Sequence, residues 1–300
     1  MKRQITFKHK NLLLAGDLYL PEGFDESKPY PAIVITHPAG GVKEQTTGLY
    51  ASKLADAGYL ALAFDASHQG ASEGQPRYIE EPALRVEDVR CAVDYFTTLP
   101  FVDKKRIGAM GVCAGAAYSI NAAQTDHRIK AVVGISTTDI GTFFRVGIDN
   151  SVKLPQQLST LEVVAGERTA IANGAAPAYA NYVPASAEGL TDNDLIEAHN
   201  YYYKEHPHPN SHNKMLLSGF DKIMAFTACD QVDTYLTQPL LLVAGSKAGT
   251  KWLSDDIYAK ATGKKELYIV NGATHMSLYG KPEHVDEAAK KAKAFFDENL

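Results

Sequence analysis

Three hundred residues, 45% of them apolar and 22% charged, are enough to bury a large core, which excludes a disordered chain as the starting expectation. A net charge of −5 with no dense run of Lys or Arg argues against nucleic acid or an anionic membrane as the main partner, and leaves small molecules. The basic start Met1–Lys10 lacks the apolar stretch of a signal peptide, and no run of about 18 apolar residues occurs, so a soluble, cytoplasmic protein is expected.

In chain order, two antiparallel strands are predicted around Gln4–Lys8 and Asn11–Leu20, followed by a turn-rich stretch from Pro21 to Pro29. Short apolar runs then mark buried strands at Ala32–Thr36, Leu60–Phe64, Arg106–Met110, Ala131–Ile135, Leu240–Ala244 and Glu266–Val270. Helical patterns separate most of them. In Ala83–Thr97, Val86, Val89, Val93 and Phe96 form one apolar stripe, and Pro282–Leu300 reads as a closing helix. The alternation predicts an α/β fold, a mostly parallel sheet with helices on both faces, whose ligand site lies beyond the carboxyl ends of the strands. Between Asp139 and Asp230 the rhythm breaks into Pro, Gly, Asn, Ser and clustered Tyr, without a buried-strand run. The expectation is a single domain, 1–300, carrying a cap insertion at approximately 140–230.

The run Ile107–Ala117 reads as a strand ending in Gly111-Val112-Cys113-Ala114-Gly115 and opening into a helix of small residues. Glycines two before and two after a sharp strand-to-helix turn remove the side chains that would collide there, so the central thiol projects outward. A helix N-terminus also favours the thiolate. Cys113 is therefore the candidate nucleophile. Read otherwise, the glycines only let helix and strand pack closely, and Cys113 is a small buried hydrophobe. Cys91 and Cys229 read as structural thiols; the three cysteines form neither a disulfide framework nor a zinc spacing.

The last predicted core strand runs into Asn271-Gly272-Ala273-Thr274-His275, a loop able to reach back to the nucleophile turn, which makes His275 the candidate base. After Ala32–Thr36, the loop His37-Pro38-Ala39-Gly40-Gly41 can offer backbone N–H groups to an oxyanion. Ala39 and Ala114 are the candidate donors, with Gly40 a near alternative to Ala39.

These residues together resemble the α/β-hydrolase superfamily, and more closely its dienelactone-hydrolase-like branch, which carries Cys in G-x-C-x-G. The likeness covers about 30–138 and 238–300. It includes H-P-A-G-G-V-K-E-Q at His37–Gln45, F-D-A-S-H-Q-G at Phe64–Gly70 and G-A-T-H at Gly272–His275. The resemblance implies hydrolysis or transfer of acyl groups. One departure stands out: the related pattern reads G-S-x-A-D-T, whereas Gly245-Ser246-Lys247-Ala248-Gly249-Thr250 puts glycine where the triad acid belongs. Asp139 could supply an acid from another strand end or could be a turn or cap residue; Asp255 and Asp256, after Ser254, look like helix N-terminal charges.

The loop containing His206, His208 and His212 hints at a metal site, but its prolines break any helical spacing, and a polar loop is expected instead, with no metal and no cofactor. Tyr201, Tyr202 and Tyr203 could line a pocket or simply pack the cap. The expected function is hydrolysis of small esters, thioesters or lactones through a Cys113 acyl-enzyme served by His275. Acyl transfer at the same site, or a non-catalytic binding protein that lost turnover with its acid, are the alternatives. Oligomeric state is not legible.

Overall fold

The structure is a computed structural model describing residues 1–300. It is built on an eight-stranded sheet of order β1-β2-β4-β3-β5-β6-β9-β10. The strands are β1 (Lys2–His9), β2 (Leu12–Tyr19), β3 (Tyr30–Thr36), β4 (Leu60–Phe64), β5 (Val102–Val112), β6 (Ile129–Ile135), β9 (Leu240–Gly245) and β10 (Lys265–Val270). A separate antiparallel pair is formed by β7 (Tyr179–Ala180) and β8 (Met215–Leu216). Strand β2 pairs antiparallel with β1 and β4, and the pairings from β4 through β10 are parallel. This is the mostly parallel α/β sheet that the apolar runs predict.

Those runs are continuous because both faces of the central strands are covered. In β3, Ala32 and Val34 enter one core cluster while Ile33 and Ile35 enter the other; in β4, Leu60, Leu62 and Phe64 oppose Ala61 and Ala63. The helices that cover these faces are α1 (Thr46–Asp56), α2 (Pro82–Thr98), α3 (Ala114–Thr125), α9 (Lys251–Lys260) and, after the short α10 (Ser277–Gly280), α11 (Pro282–Asn299). Val86, Val89, Val93 and Phe96 of α2 are all buried in the first cluster, as their spacing predicts. Parallel register brings Thr36 opposite Gly111, Gly111 opposite Gly134, and Gly245 opposite Val270, so the loops that follow share one edge.

Between β6 and β9 lie α4 (Ile140–Val146), α5 (Leu154–Ala172), α6 (Asn193–Asn200), a π-turn at Tyr201–Glu205, α7 (Phe220–Met224) and α8 (Val232–Tyr235). This stretch is less irregular than its composition suggests. Helix α5 runs for 19 residues yet fully buries only Val164, so it offers no periodic apolar stripe to read. A second correction concerns α9. Its first residue is Lys251, so Ser254 is interior and Asp255 is the i+4 partner of Lys251 at 2.7 Å rather than an N-terminal charge. No helix is long and apolar enough to cross a membrane.

Candidate active site

At the β5–α3 junction Cys113 adopts φ 56° and ψ −122°, the left-handed region that L side chains rarely occupy. Its neighbours explain why only glycine fits on either side. A Cβ on Gly111 would lie 2.2 Å from the Gly115 carbonyl oxygen, and one on Gly115 would lie 2.2 Å from that of Thr36. The turn is held from both sides: the Cys113 N–H donates to Ile135 O at 2.9 Å, and the Cys113 carbonyl accepts from Thr138 N–H at 3.1 Å. The expected strand-to-helix turn is therefore present, with Cys113 at its apex.

His275 follows β10 and is buried beside the same turn. Its Nδ1 lies 2.6 Å from Thr250 Oγ1 and its Nε2 lies 3.1 Å from the Tyr279 hydroxyl. Cys113 lines the same cleft as His275, Tyr279 and Thr138. Burial alone would push the thiol up, but the hydrogen bond and charge of His275, helped by the Tyr279 and Thr138 hydroxyls, bring it below its ordinary value. The other two thiols differ. Burial pushes Cys91 up to about 12 and raises Cys229 well above the usual thiol range.

The N–H groups of Ala39 and Ala114 donate to no protein acceptor, and both residues line the cleft in front of Cys113. The loop carrying Ala39 is fixed from below. His37 Nε2 accepts from the Ala66 N–H at 3.1 Å, which leaves the ring proton on Nδ1 to donate to Pro38 O at 2.7 Å. Burial, then the Arg85 charge, hold His37 well below its ordinary value and therefore neutral. Arg85, itself buried, donates to the His37 carbonyl at 2.7 Å and to Glu80 at 2.9 Å; Glu80 also accepts from Tyr118 and, across 102 residues of chain, from Tyr182 at 2.8 Å.

The cleft is lined mostly by apolar side chains, including Ile140, Phe143, Phe144, Val183 and Leu195. Tyr202 also lines it, whereas Tyr201 packs edge-on against Tyr279 and Tyr203 stacks on His199. The tyrosine run thus divides between pocket and packing. Asp139 does not serve as an acid: it caps α4 through Thr142 N–H at 3.2 Å and accepts from Ala228 and Cys229 N–H groups at 2.8 and 3.3 Å. The histidine-rich loop sends its rings to three neighbours: His206 to Tyr201, His208 towards Glu44 and His212 to Tyr78.

Sequence reasoning passed over Thr250, Tyr279 and the Arg85–Glu80–Tyr182 link. Thr250 follows the glycine that replaces the acid, and Tyr279 stands four residues after His275, one turn away, where a hydroxyl can return to the imidazole. Nothing local marked Tyr182.

An eight-stranded, mostly parallel sheet with an elbow at the end of its fifth strand and a histidine after its last defines an α/β hydrolase. The structure resembles that of the α/β hydrolase GrgF from Penicillium sp. sh18, with a TM-score of 0.83 at 20% identity over 100% of this chain and 99% of that one. The profile of the dienelactone hydrolase family matches residues 15–140, and the chain belongs to that family. It is 42% identical to the uncharacterized protein YcjY of Escherichia coli (strain K12) over 100% of both chains. The crystal structure of the hypothetical protein PA2218 from Pseudomonas aeruginosa superposes with a TM-score of 0.93 at 35% identity, over 100% of this chain and 94% of that one. More distant relatives carry the names thiohydrolase and polyketide transferase.

Proposed function

We propose that this chain hydrolyses small esters, thioesters or lactones through an acyl-enzyme on Cys113. The observation that carries the reading is Cys113 in its left-handed turn, facing His275, with the unengaged N–H groups of Ala39 and Ala114 in the same cleft. In this scheme the thiolate attacks the carbonyl carbon and the displaced electron pair moves onto oxygen, where the two N–H groups receive it. His275 then protonates the leaving alkoxide or thiolate as the tetrahedral centre collapses. Water, deprotonated by His275, attacks the acyl-enzyme and releases the acid and the thiolate. Tyr279 donates to the sulfur when it is ionised, and its oxygen accepts from a protonated Nε2.

The cleft lining contains no Lys or Arg, and its one carboxylate is Asp194, so the acyl part it takes is uncharged and apolar. Acyl transfer is a second reading, favoured by the apolar lining of the cleft, which suits an acyl chain better than water, and by the transferase names among the relatives. The test is burst kinetics with p-nitrophenyl acetate and butyrate on the wild type and Cys113→Ala, with mass spectrometry of the trapped enzyme. An acyl adduct on Cys113 that turns over, and is missing from the variant, supports the hydrolase. An adduct discharged only by an added thiol or alcohol supports transfer, and the absence of any adduct with a range of acyl lengths sinks both.

A further inference from the structure

The His275 imidazole meets a hydroxyl, not a carboxylate, at Nδ1, because Thr250 stands there and the preceding residue is Gly249. Yet a carboxylate does occupy the neighbouring space, and it comes from the inserted segment. Asp194, in the first turn of α6, accepts the Gly249 N–H through Oδ2 at 2.6 Å. The fit is reciprocal: a Cβ on Gly249 would lie 2.6 Å from that same Oδ2. Glycine at this position makes the room that the carboxylate fills.

Other features of Asp194 point the same way. Its second oxygen, Oδ1, is buried with no hydrogen-bond partner. Leaving a buried carboxylate oxygen unpaired is unfavourable, and a purely structural anchor would avoid that. The side chain shares the cleft lining with Cys113, Thr250 and His275. One turn further along α6, Glu197 accepts from the Thr274 hydroxyl at 2.5 Å, so two carboxylates of one helix hold the two loops that flank the imidazole. Around Asp194, burial raises its carboxyl, the Gly249 backbone N–H opposes this, the like charges of Asp192 and Glu197 add to the rise, and the backbone N–H of His275, not its ring, opposes it.

We propose that Asp194 replaces the missing triad acid from the cap: it holds the Gly249–Thr250 turn against His275 and supplies the negative charge that steadies the Cys113 thiolate–imidazolium pair. Asp194 acts through Thr250 and His275 and is a positioning residue. The site is then complete only when α6 is seated on the sheet edge. The inference rests on the thiol-hydrolase reading of the site.

The experiment compares the full-length wild type with Asp194→Asn, Gly249→Ala and the exchange Asp194→Ala/Gly249→Asp. Two readouts are used: kcat and KM for p-nitrophenyl butyrate, and the pH dependence of Cys113 alkylation by iodoacetamide, which needs no turnover. Asp194→Asn, nearly isosteric, is expected to lower kcat by ~10–100-fold with KM within about threefold, and to move the alkylation profile to higher pH. Gly249→Ala, which leaves Asp194 in place but crowds it, should move both readouts the same way by a smaller amount. In the exchange variant the profile should return towards the wild type. A wild-type profile and kcat in both Asp194→Asn and Gly249→Ala overturn the proposal, as does a fall in kcat with the profile unmoved, which is the mark of packing alone. A wild type that alkylates at Cys113 but turns over no ester would instead count against the hydrolase reading, while the profile shift still decides the role of Asp194.

Discussion

The sheet edge and the inserted segment build one cleft by different means. At the edge, backbone does the positioning: Cys113 is held by the Ile135 carbonyl and the Thr138 N–H, and Gly115 sits so close to the Thr36 carbonyl that no side chain fits. The insertion reaches the same cleft through side chains, with Tyr182 on Glu80, Asp194 on Gly249 and Glu197 on Thr274. Backbone positioning tolerates almost no substitution but is written in a few adjacent residues. Side-chain positioning can be altered one hydrogen bond at a time and is written across distant parts of the chain.

That contrast can be broken first at the proposed catalytic pair. Replacing His275 by Ala should cut kcat/KM for p-nitrophenyl butyrate by ~10³-fold, since general acid–base assistance is worth that order, while thermal melting stays near the wild type. A residual rate within tenfold would mean that the imidazole is not the base. Next, Gly115→Ala tests the rigidity of the edge. Its methyl would press on the Thr36 and His37 carbonyls at 2.2 and 2.5 Å, and urea unfolding should show a loss of about 3 kcal/mol or more. A loss under about 1 kcal/mol would mean that α3 shifts easily, contrary to the backbone picture.

Tyr279→Phe removes the hydroxyl that, in the proposed scheme, donates to the ionised sulfur, a bond of the charge-assisted kind, and should lower the iodoacetamide rate near neutral pH by ~10-fold. The sign follows from the lowered thiol. As pH falls through the Cys113 value the thiolate takes up a proton and reactivity is lost, so without Tyr279 that loss begins at higher pH. The smallest effect is expected on the insertion side. Tyr182→Phe takes one of several donors from buried Glu80 and should cost about 1 kcal/mol, read as a small drop in melting temperature, with KM rising more than kcat falls. An equal loss at Tyr182 and Gly115 would erase the distinction between the two regions.

How much of this was legible follows from the same distinction. The strands were readable because residues such as Ile33 and Val34 are buried on opposite faces of one sheet, leaving an unbroken apolar run. The elbow and the histidine loop were readable because short-range sterics fix them. Asp194 was not, because its partner Gly249 is 55 residues away and an aspartate near a helix start carries no mark distinguishing it from an ordinary N-terminal charge. Asp139 was left open for the converse reason: an acid at a strand end reads alike whether it serves a histidine or, as here, takes the other role read for it and caps α4. Helix α5 escaped because exposed Leu154, Leu158 and Val163 interrupt any division into wet and dry faces.

That last helix has a consequence for how the molecule breathes. With Val164 as its sole fully buried residue, α5 draws little support from packing, and 19 residues are barely enough for a helix to persist by itself in water. Its amide hydrogens should exchange with deuterium well before those of β3, β5 and β6, through openings far smaller than global unfolding, so the chain between β6 and β9 would fluctuate at α5 while the sheet stays still.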